Sequence, residues 1–421
     1  MRLALYGNTC NNFFAVARAL RRRAPDIDVH LFIDDNAEFN QLPETEDPEL
    51  RNNYPAWIHK GPYQTIAARM WPAASPLVRE LSAFDLVMVS GPGVRFAPFV
   101  DRPFLFYVTG WDLTVSPFPI RFFTRQKGIV SKTAALFGGY WQRRGIGVVR
   151  ELWSQPFAPF RIAAERLHVP PERIVPRYFP IMLDTEMFSA DAQARNSPDA
   201  NVRRLVDNHD FIVFHPSRMM LNRAARYVET GQWKGNDRLF EGFARFVAAN
   251  PSARPALALI DRGASPDVAA AKRVIARLGI EQHVHWLKGP HAYGFDRREL
   301  LPLYSIGDAV VDEFGIGWFG SVVVEGLSMG KPVLCHVDEA VMRQLYPWHP
   351  ILSPRTPDEI AACLTDLWSD PVKRQQLGAR GREWAIEFHS IERASARYVD
   401  QILDATSTLQ AQPRPLRAAR A

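Results

Sequence analysis

Apolar residues along the chain form short runs that alternate with stretches of helical periodicity. The first run, Arg2–Tyr6, is followed by a turn at Gly7-Asn8 and by a stretch to Arg23 whose apolar residues share one helical face. Further apolar runs in the first half predict strands at Asp28–Ile33, Asp85–Ser90 and Phe104–Thr109. Strands that alternate with helices indicate a parallel sheet with right-handed crossovers.

A second alternating series begins at Asp210, after the proline-marked connection Ile174–Phe188. An amphipathic helix is predicted at Arg238–Ala249, and two helices close the chain at Pro371–Phe388 and Ile391–Ala405. The strands of this series are predicted at Phe211–His215, Ala256–Asp261, His283–Leu287, Asp308–Asp312 and Pro332–His336.

The length of 421 residues exceeds one ordinary hydrophobic core, so we expect two domains, at residues 1–180 and 181–390. The predicted fold class is α/β, with two Rossmann-like, doubly wound domains that face a central cleft. Ligands of such folds sit in the loops after strands and at helix N-termini. The end of the chain is rich in Pro, Arg and Ala, and residues 407–421 are predicted to form a disordered tail.

Composition indicates a cytoplasmic globular protein. No apolar run is long enough for a transmembrane helix, and the N-terminus lacks the pattern of a signal peptide. The three cysteines, Cys10, Cys335 and Cys363, form no metal-binding or redox motif and are expected to be reduced thiols.

The net charge of +6 has an uneven distribution, because residues 113–150 contain no Asp or Glu. Aromatic residues are interleaved with the basic ones there. This stretch is consistent with contact to an anionic membrane surface, with binding of an anionic or lipid-linked acceptor, or with a solvated face over core aromatics. Nucleic acid is disfavoured, because no nucleic-acid module is recognisable. The candidate acceptor or membrane residues are Arg121, Arg125, Lys127, Arg143 and Arg144.

The segment Glu313–Val333 has the strongest chemical pattern. It follows a predicted strand and contains glycines that allow a ligand to approach the backbone. A helix is predicted to begin at Gly320-Ser321-Val322 and to end at Gly330, so its first amides suit a diphosphate. One turn into that helix, the carboxylate of Glu325 can accept two hydroxyl hydrogen bonds, as from a ribose.

This segment resembles the hallmark of family-4-type retaining glycosyltransferases, which have the GT-B fold. Glu325 matches the second Glu of their pattern, and Gly330-Lys-Pro-Val333 matches its end. At the position of the first Glu, which contacts the donor sugar in that family, this chain has Gly317. Asp312 and Glu313, upstream on the same loop, are the candidate substitutes.

The resemblance extends to two basic residues. His215-Pro-Ser-Arg218 follows a predicted strand, and Lys234-Gly235 precedes a predicted helix. They are similar to the Gly-Arg and Lys-Gly elements that neutralise the donor diphosphate in the family. Arg218, Lys234 and Glu313 are therefore candidate catalytic residues, since a diphosphate leaving group needs cations or a metal.

In the first half, Gly7 and Asn8 resemble the loop of the fold that lies over the donor phosphates. Asp112, after a strand, is a candidate catalytic residue near the reacting sugar, although a capping role for its carboxylate is an equal alternative. The family's final helix, here 391–406, packs back onto the first domain.

The resemblance implies transfer of a sugar from a nucleotide-diphospho-sugar to a hydroxyl of a glycan or lipid-linked acceptor, with retention of configuration. Donor binding is expected in the second domain and acceptor binding in the first, in cell-surface polysaccharide or glycolipid synthesis. No metal or other cofactor is expected. The alternatives are a non-catalytic nucleotide- or glycan-binding scaffold, which Gly317 suggests, and a nucleotide-sugar epimerase of the same fold. A dehydrogenase is disfavoured, because the Gly-x-Gly-x-x-Gly fingerprint is absent.

Overall fold

The computed structural model describes residues 1–38, 41–51, 53–121, 128–177, 181–191, 193–291 and 294–411. It divides the chain into two compact units, of which the first comprises residues 1–180 together with the chain from Glu392 onwards and the second comprises Ile181–Ile391. None of the described helices combines the length and apolar character needed to cross a membrane.

The first unit is built on a seven-stranded parallel sheet with the order β3-β2-β1-β4-β5-β6-β7. Strands β1, β4 and β5 are almost wholly buried, as expected of parallel strands covered on both faces. The strands are β1 Arg2–Tyr6, β2 Asp28–Asp34, β3 Ile58–Gly61, β4 Leu86–Val89, β5 Phe104–Tyr107, β6 Glu151–Trp153 and β7 Ile174–Val175. The helices between them are α1 Asn12–Arg23, α2 Ile66–Met70, α3 Pro76–Leu81, α4 Trp111–Thr114, α5 Ile129–Ile146 and α6 Ala158–Arg166.

The second unit is built on a five-stranded parallel sheet with the order β10-β9-β8-β11-β12. Its strands are β8 Phe211–His215, β9 Pro255–Asp261, β10 Val284–Lys288, β11 Ala309–Val311 and β12 Val333–Leu334. Its helices are α7 Ala200–Asn208, α8 Ala225–Glu229, α9 Asn236–Ala249, α10 Pro266–Leu278, α11 Leu301–Ile306, α12 Ser321–Ser328, α13 Glu339–Leu345, α14 Pro357–Ser369 and α15 Pro371–His389.

The last helix, α16 (Ile391–Ala411), belongs to the first unit from Glu392 onwards. Asp404 pairs with Arg177 at 2.7 Å, and the Tyr398 hydroxyl donates to the sulfur of Met88 at 3.9 Å. The prediction that the tail begins at residue 407 was wrong for residues 407–411, because the helix continues to Ala411. Its sequence there contains no helix breaker before Pro413. Residues 412–421 lie outside the described part.

The predicted fold class is confirmed: each unit is a doubly wound α/β domain. In both sheets the strand order reverses beside the first strand, between β1 and β4 and between β8 and β11. A crevice at the carboxyl ends of the strands is expected at such a switch point, and ligands of open α/β sheets bind there.

Candidate functional site

Lys234 lies at the centre of a buried cluster of charges at the switch point of the second unit. Its ammonium nitrogen is 3.0 Å from a carboxyl oxygen of Glu313 and 3.6 Å from one of Asp312, and both acids directly follow β11. The Ser217 hydroxyl, after β8, donates a short hydrogen bond to Asp312. Three segments that are distant in the sequence thus meet around one cation.

Tight backbone packing holds this cluster in place. The amide of Phe314 donates to the carbonyl of Lys234 at 2.7 Å, so the two loops lie side by side. A Cβ atom on Gly315 would lie 2.6 Å from the Trp233 carbonyl oxygen, which explains the glycine. Gly235, with φ at +69°, allows the chain to turn into α9 directly after Lys234.

Burial and mutual attraction together set the protonation of the cluster. Burial disfavours the Lys234 ammonium, but the two carboxylates outweigh it and raise the pKa of Lys234 well above its ordinary value. Burial raises the pKa of Glu313 to about 7, against the opposing effect of Lys234. The lysine is therefore a fixed cation, whereas Glu313 titrates near neutral pH.

Arg218 is exposed in the loop after β8 and adds positive charge beside the cluster. Its charge lowers the pKa of both Lys234 and Arg262, although burial is the larger lowering effect at each. Both basic residues predicted from the sequence are therefore located at the carboxyl end of the second sheet. Two cations at this place suit a ligand with negative charge.

A buried imidazole fixes the start of α9 next to Lys234. The Asn236 carboxamide accepts a hydrogen bond from the Met220 amide at 2.7 Å, so its nitrogen donates to Nε2 of His215 at 3.0 Å. Burial lowers the pKa of His215 to about 4, so this histidine is neutral. Sequence reasoning did not identify Asn236, which shows no motif of its own.

The helix α12 begins without a side-chain cap at Gly320. The first amides of the helix, at Ser321 and Val322, therefore have no partner within the helix and are available to an anion. A Cβ atom on Gly320 would meet only a carboxyl oxygen of Asp312, at 4.0 Å, so the approach to this helix end is open and lies beside the charged cluster.

Glu325 lies one turn into α12 and is buried. One of its carboxyl oxygens accepts from Nη2 of Arg297 at 2.8 Å and from Nε at 3.1 Å, and the other accepts from the Tyr304 hydroxyl at 2.7 Å. Its orientation is therefore fixed. The Tyr304-bound oxygen retains a second acceptor position for a ligand hydroxyl. Neither Arg297 nor Tyr304 could be assigned from the sequence, because no local pattern connects them with Glu325.

Gly317 lies in the loop between β11 and α12 with φ at +85°. Glu313, one candidate substitute for a carboxylate at that position, is engaged with Lys234. Asp312, the other, is engaged with Ser217 and Lys234.

In the first unit, the predicted residues make contacts within the unit. The Asn8 carboxamide donates to Asn11 and to the Gln41 carbonyl and accepts from the Phe14 amide. Gly7, with φ at +99°, packs closely against Ser90, the residue after β4. A Cβ atom on Gly7 would lie 2.3 Å from the Ser90 carbonyl oxygen.

Asp112 is buried and accepts hydrogen bonds from the amides of Gly91, Thr109 and Gly110 and from the Thr109 hydroxyl. Burial raises the pKa of Asp112 to about 6, although these donors lower it. Its carboxylate connects the loops after β4 and β5.

The predicted basic surface is described in part. Arg143 and Arg144 are exposed on α5, and Arg143 donates to the Pro117 carbonyl. Arg121 is half-buried, and Arg125 and Lys127 lie outside the described residues.

Within the described ranges, one group has side chains close enough to hold a metal ion, with ligand atoms within 4.8 Å of one another: His291, Asp296 and Glu299. It lies on a different loop from Lys234. In the cluster described above, the positive charges come from Lys234 and Arg218.

Comparison with known proteins supports the family inferred from Glu313–Val333. Residues 225–384 match the family model described as "Glycosyl transferases group 1", which confirms the resemblance to glycosyltransferases of that group. No curated protein matches the chain.

Solved structures match nearly the whole chain. HepE from Anabaena, in complex with UDP and glucose, is 17% identical, with 97% of this chain and 100% of that chain covered and a TM-score of 0.63. Sucrose-phosphate synthase from Thermosynechococcus elongatus is 13% identical, with coverage of 97% and 100% and a TM-score of 0.65. A glycosyltransferase from Rickettsia africae is 15% identical, with coverage of 98% and 99% and a TM-score of 0.62. At these identities the likeness concerns the fold, which is GT-B.

Proposed function

We propose that this protein is a glycosyltransferase that uses a nucleotide-diphospho-sugar as donor. One observation supports this most directly: Lys234, Arg218 and the uncapped start of α12 lie at the same switch point. Fixed cations and oriented amides stabilise a departing diphosphate without a metal ion. In this proposal Glu325 binds the ribose hydroxyls, and no cofactor is required.

Transfer proceeds with retention in this proposal. The bond between the sugar's anomeric carbon and the diphosphate oxygen breaks, through an oxocarbenium-like transition state. The acceptor oxygen forms its new bond on the same face, and its proton passes to the leaving phosphate. A dedicated general base is then unnecessary, and the role of Lys234 and Arg218 is to stabilise the negative charge that develops on the leaving group.

We further propose that the first unit binds the acceptor, a glycan or lipid-linked hydroxyl compound of cell-surface synthesis, at an anionic membrane surface. Helix α5 supports this, because its exposed apolar residues include Ile129, Phe137 and Tyr140. Lys132 and Arg144 are exposed on the same helix, with no acidic residue anywhere in residues 113–150. An apolar strip flanked by cations favours anionic headgroups.

A thermal-shift screen with UDP-, GDP-, ADP- and CMP-sugars tests donor binding, with UDP-glucose first because HepE has been crystallised with it. Release of the nucleotide in the presence of a panel of acceptors then tests transfer. Nucleotide binding without turnover would favour a scaffold, whereas conversion of the donor sugar without an acceptor would indicate an epimerase.

Glu325→Ala is expected to abolish nearly all donor binding and transfer. Asp308→Ala is the matched control, because Asp308 is a largely buried carboxylate beside an arginine, 3.4 Å from Arg374, but it precedes β11 at the opposite end of the sheet. Full transfer by Glu325→Ala would refute the assignment of the ribose site.

A further inference from the structure

The backbone at Gly317 leaves room beside the start of α12. Its φ of +85° is a conformation that other residues rarely adopt, so a glutamate in this loop would be strained. The carbonyl of Gly317 accepts from the Asp338 amide at 2.8 Å, which fixes the loop against the segment after β12. A Cβ atom on Gly317 would lie 3.9 Å from Nε2 of His336 and 3.8 Å from Cβ of Asp338.

His336 follows β12 at the carboxyl end of the sheet. Its amide donates to the carbonyl of Glu313 at 2.8 Å, so it belongs to the same site as the Lys234 cluster. Its imidazole is half-buried and directs Nε2 towards the space at Gly317. Across the described part of the chain, no hydrogen bond reaches this nitrogen, because the one recorded for the imidazole is made by Nδ1.

The tautomer of His336 follows from its neighbour Ser353. The Ser353 hydroxyl accepts from the Val337 amide at 3.0 Å and donates to the Val337 carbonyl at 3.2 Å. With its proton directed to that carbonyl, it accepts from Nδ1 of His336, which is 3.4 Å away. On this basis we assign the proton of the imidazole to Nδ1, so that Nε2 presents a lone pair.

The imidazole is also neutral at pH 7. Burial lowers the pKa of His336, and the charges of Arg355 and Arg238 lower it further. A neutral nitrogen with a free lone pair accepts a hydrogen bond from a hydroxyl group, as a carboxylate does, without adding negative charge next to a diphosphate.

The acidic groups nearby have partners of their own. Asp338 caps α13 through one carboxyl oxygen, Oδ1, which accepts from the amides of Ala340 and Val341 at 2.9 and 3.3 Å. Glu313 is 3.0 Å from the ammonium of Lys234. Nε2 of His336 is thus a hydrogen-bond acceptor that faces the space at Gly317.

We propose that Nε2 of His336 accepts a hydrogen bond from a hydroxyl of the donor's transferred sugar, and that it does so in place of an acidic side chain at position 317. The proposal rests on the proposed function. A diphosphate at the start of α12 would place its attached sugar beside the Gly317 loop, since that loop leads directly into the helix. His336 then determines sugar binding, whereas Lys234 and Glu325 determine nucleotide binding.

The test compares binding of UDP-glucose and of UDP to the full chain by calorimetry. His336→Ala is expected to raise the Kd of UDP-glucose by about five- to tenfold, the effect of one lost hydrogen bond between uncharged groups. The Kd of UDP should stay within about twofold, because UDP lacks the sugar. An equal change for both ligands, or no change for either, overturns the proposal.

Two conservative variants separate this contact from a structural role. His336→Asn retains a donor near the position of Nδ1, and so the Ser353 contact, but lacks Nε2; it should bind UDP-glucose as weakly as His336→Ala. His336→Gln retains a polar atom near the position of Nε2 and should recover most of the affinity. The reverse pattern would show that His336 only supports Ser353 and would overturn the proposal.

His283→Ala is the matched control, because His283 is half-buried in the same unit and contacts the Pro255 carbonyl at 3.1 Å, before β10. It should leave both affinities unchanged. If the wild-type chain binds none of the UDP-, GDP-, ADP- and CMP-sugars and none of their nucleotides, the proposed function fails together with this inference. A wild-type chain that binds them, with His336 variants that do not differ, refutes the inference alone.

Discussion

The two sheets have the same reversal of strand order, yet the polar side chains at the carboxyl ends of their strands have different kinds of partner. In the first unit, Asn8 and Asp112 form their hydrogen bonds with neighbouring segments of the same unit. In the second unit, the ammonium of Lys234 lies 3.0 Å from the buried carboxyl group of Glu313, and burial raises the pKa of Glu313 to about 7.

Loops at equivalent places in one architecture can therefore have two roles: some stabilise the fold, and others bind a ligand. A carboxylate that accepts four hydrogen bonds, as Asp112 does, stabilises the loop that it caps. A buried cluster of one lysine and two acids is weak support for a fold, because desolvation offsets most of the attraction. Such a cluster is better explained by binding of a charged ligand.

The largest expected effect therefore comes from Lys234. Lys234→Ala should reduce transfer by about a hundred- to a thousandfold, since it removes a cation that stabilises the leaving diphosphate. It should also lower the melting temperature, because Asp312 and Glu313 lose their counter-ion. Initial rates with saturating acceptor and a thermal melt measure the two effects.

Lys331→Ala is the matched control for Lys234→Ala. Lys331 is also shielded from solvent, and its ammonium donates to the Ser305 carbonyl at 2.6 Å. Its loss should lower stability without a comparable loss of transfer. Equal losses of transfer in both variants would contradict the distinction between charge that binds ligand and charge that supports the fold.

The second expectation contrasts the carboxyl groups of Glu313 and Asp112. Burial raises the pKa of Glu313 from 4.5 to about 7, so the folded chain binds this proton more tightly than the unfolded chain. The tighter binding of this proton therefore contributes fully to the free energy of unfolding below pH 4.5, and that contribution is lost as the pH rises through 7. Glu313→Gln cannot ionise at this position. As the pH rises from 4.5 through 7, its free energy of unfolding should therefore increase by about 3 kcal/mol relative to that of the wild type, measured by urea unfolding at each pH.

Asp112→Asn should be less stable than wild type at low pH, and the difference should narrow as the pH rises through 6, because burial also raises the pKa of Asp112 to about 6. The amide group of asparagine would face donors that now bind a carboxylate, at a cost of about 1–3 kcal/mol. Its affinity for the donor nucleotide should be unchanged. If Asp112→Asn were as stable as wild type and lost transfer, Asp112 would be a catalytic group after all, and the contrast between the two loops would fail.

The sequence predicted much of the framework of the second unit, for identifiable reasons. Strand β8 occupies the predicted Phe211–His215, because a strand buried on both faces is a continuous apolar run. Helix α12 begins at Ser321, as predicted, and ends at Ser328, one residue before the predicted Met329, with Gly330 at φ +67° directly after that residue.

The contacts that complete the site were not predictable. Arg297 meets Glu325 across 28 positions, and His336 meets Ser353 across 17. Arg297, His336 and Ser353 lie in loops without periodicity, where only the packing of the sheet decides which side chains meet. Asp112 could be placed after a strand, but its four donors depend on the unusual backbone at Gly91 and Gly110, both at positive φ.

The smallest expected effect concerns the apolar strip of α5, which is an exposed surface of the first unit. Ile129 is 81% exposed and Phe137 41% exposed, yet both are apolar. The double variant Ile129→Ser with Phe137→Ser should weaken binding to vesicles of phosphatidylglycerol and phosphatidylcholine by about tenfold, since two apolar side chains no longer enter the interface. Arg144→Ser should weaken it by about fivefold and reduce its dependence on salt.

Val372→Ser is the control for these variants, because Val372 is 65% exposed at the start of α15 in the second unit. It should leave vesicle binding unchanged, and vesicles of phosphatidylcholine alone should bind every variant weakly. Equal binding to neutral and anionic vesicles would remove the electrostatic part of the argument. A Val372→Ser variant that binds as weakly as the α5 variants would show that the membrane contact is not confined to the first unit, and the division of labour between acceptor surface and donor site would have to be redrawn.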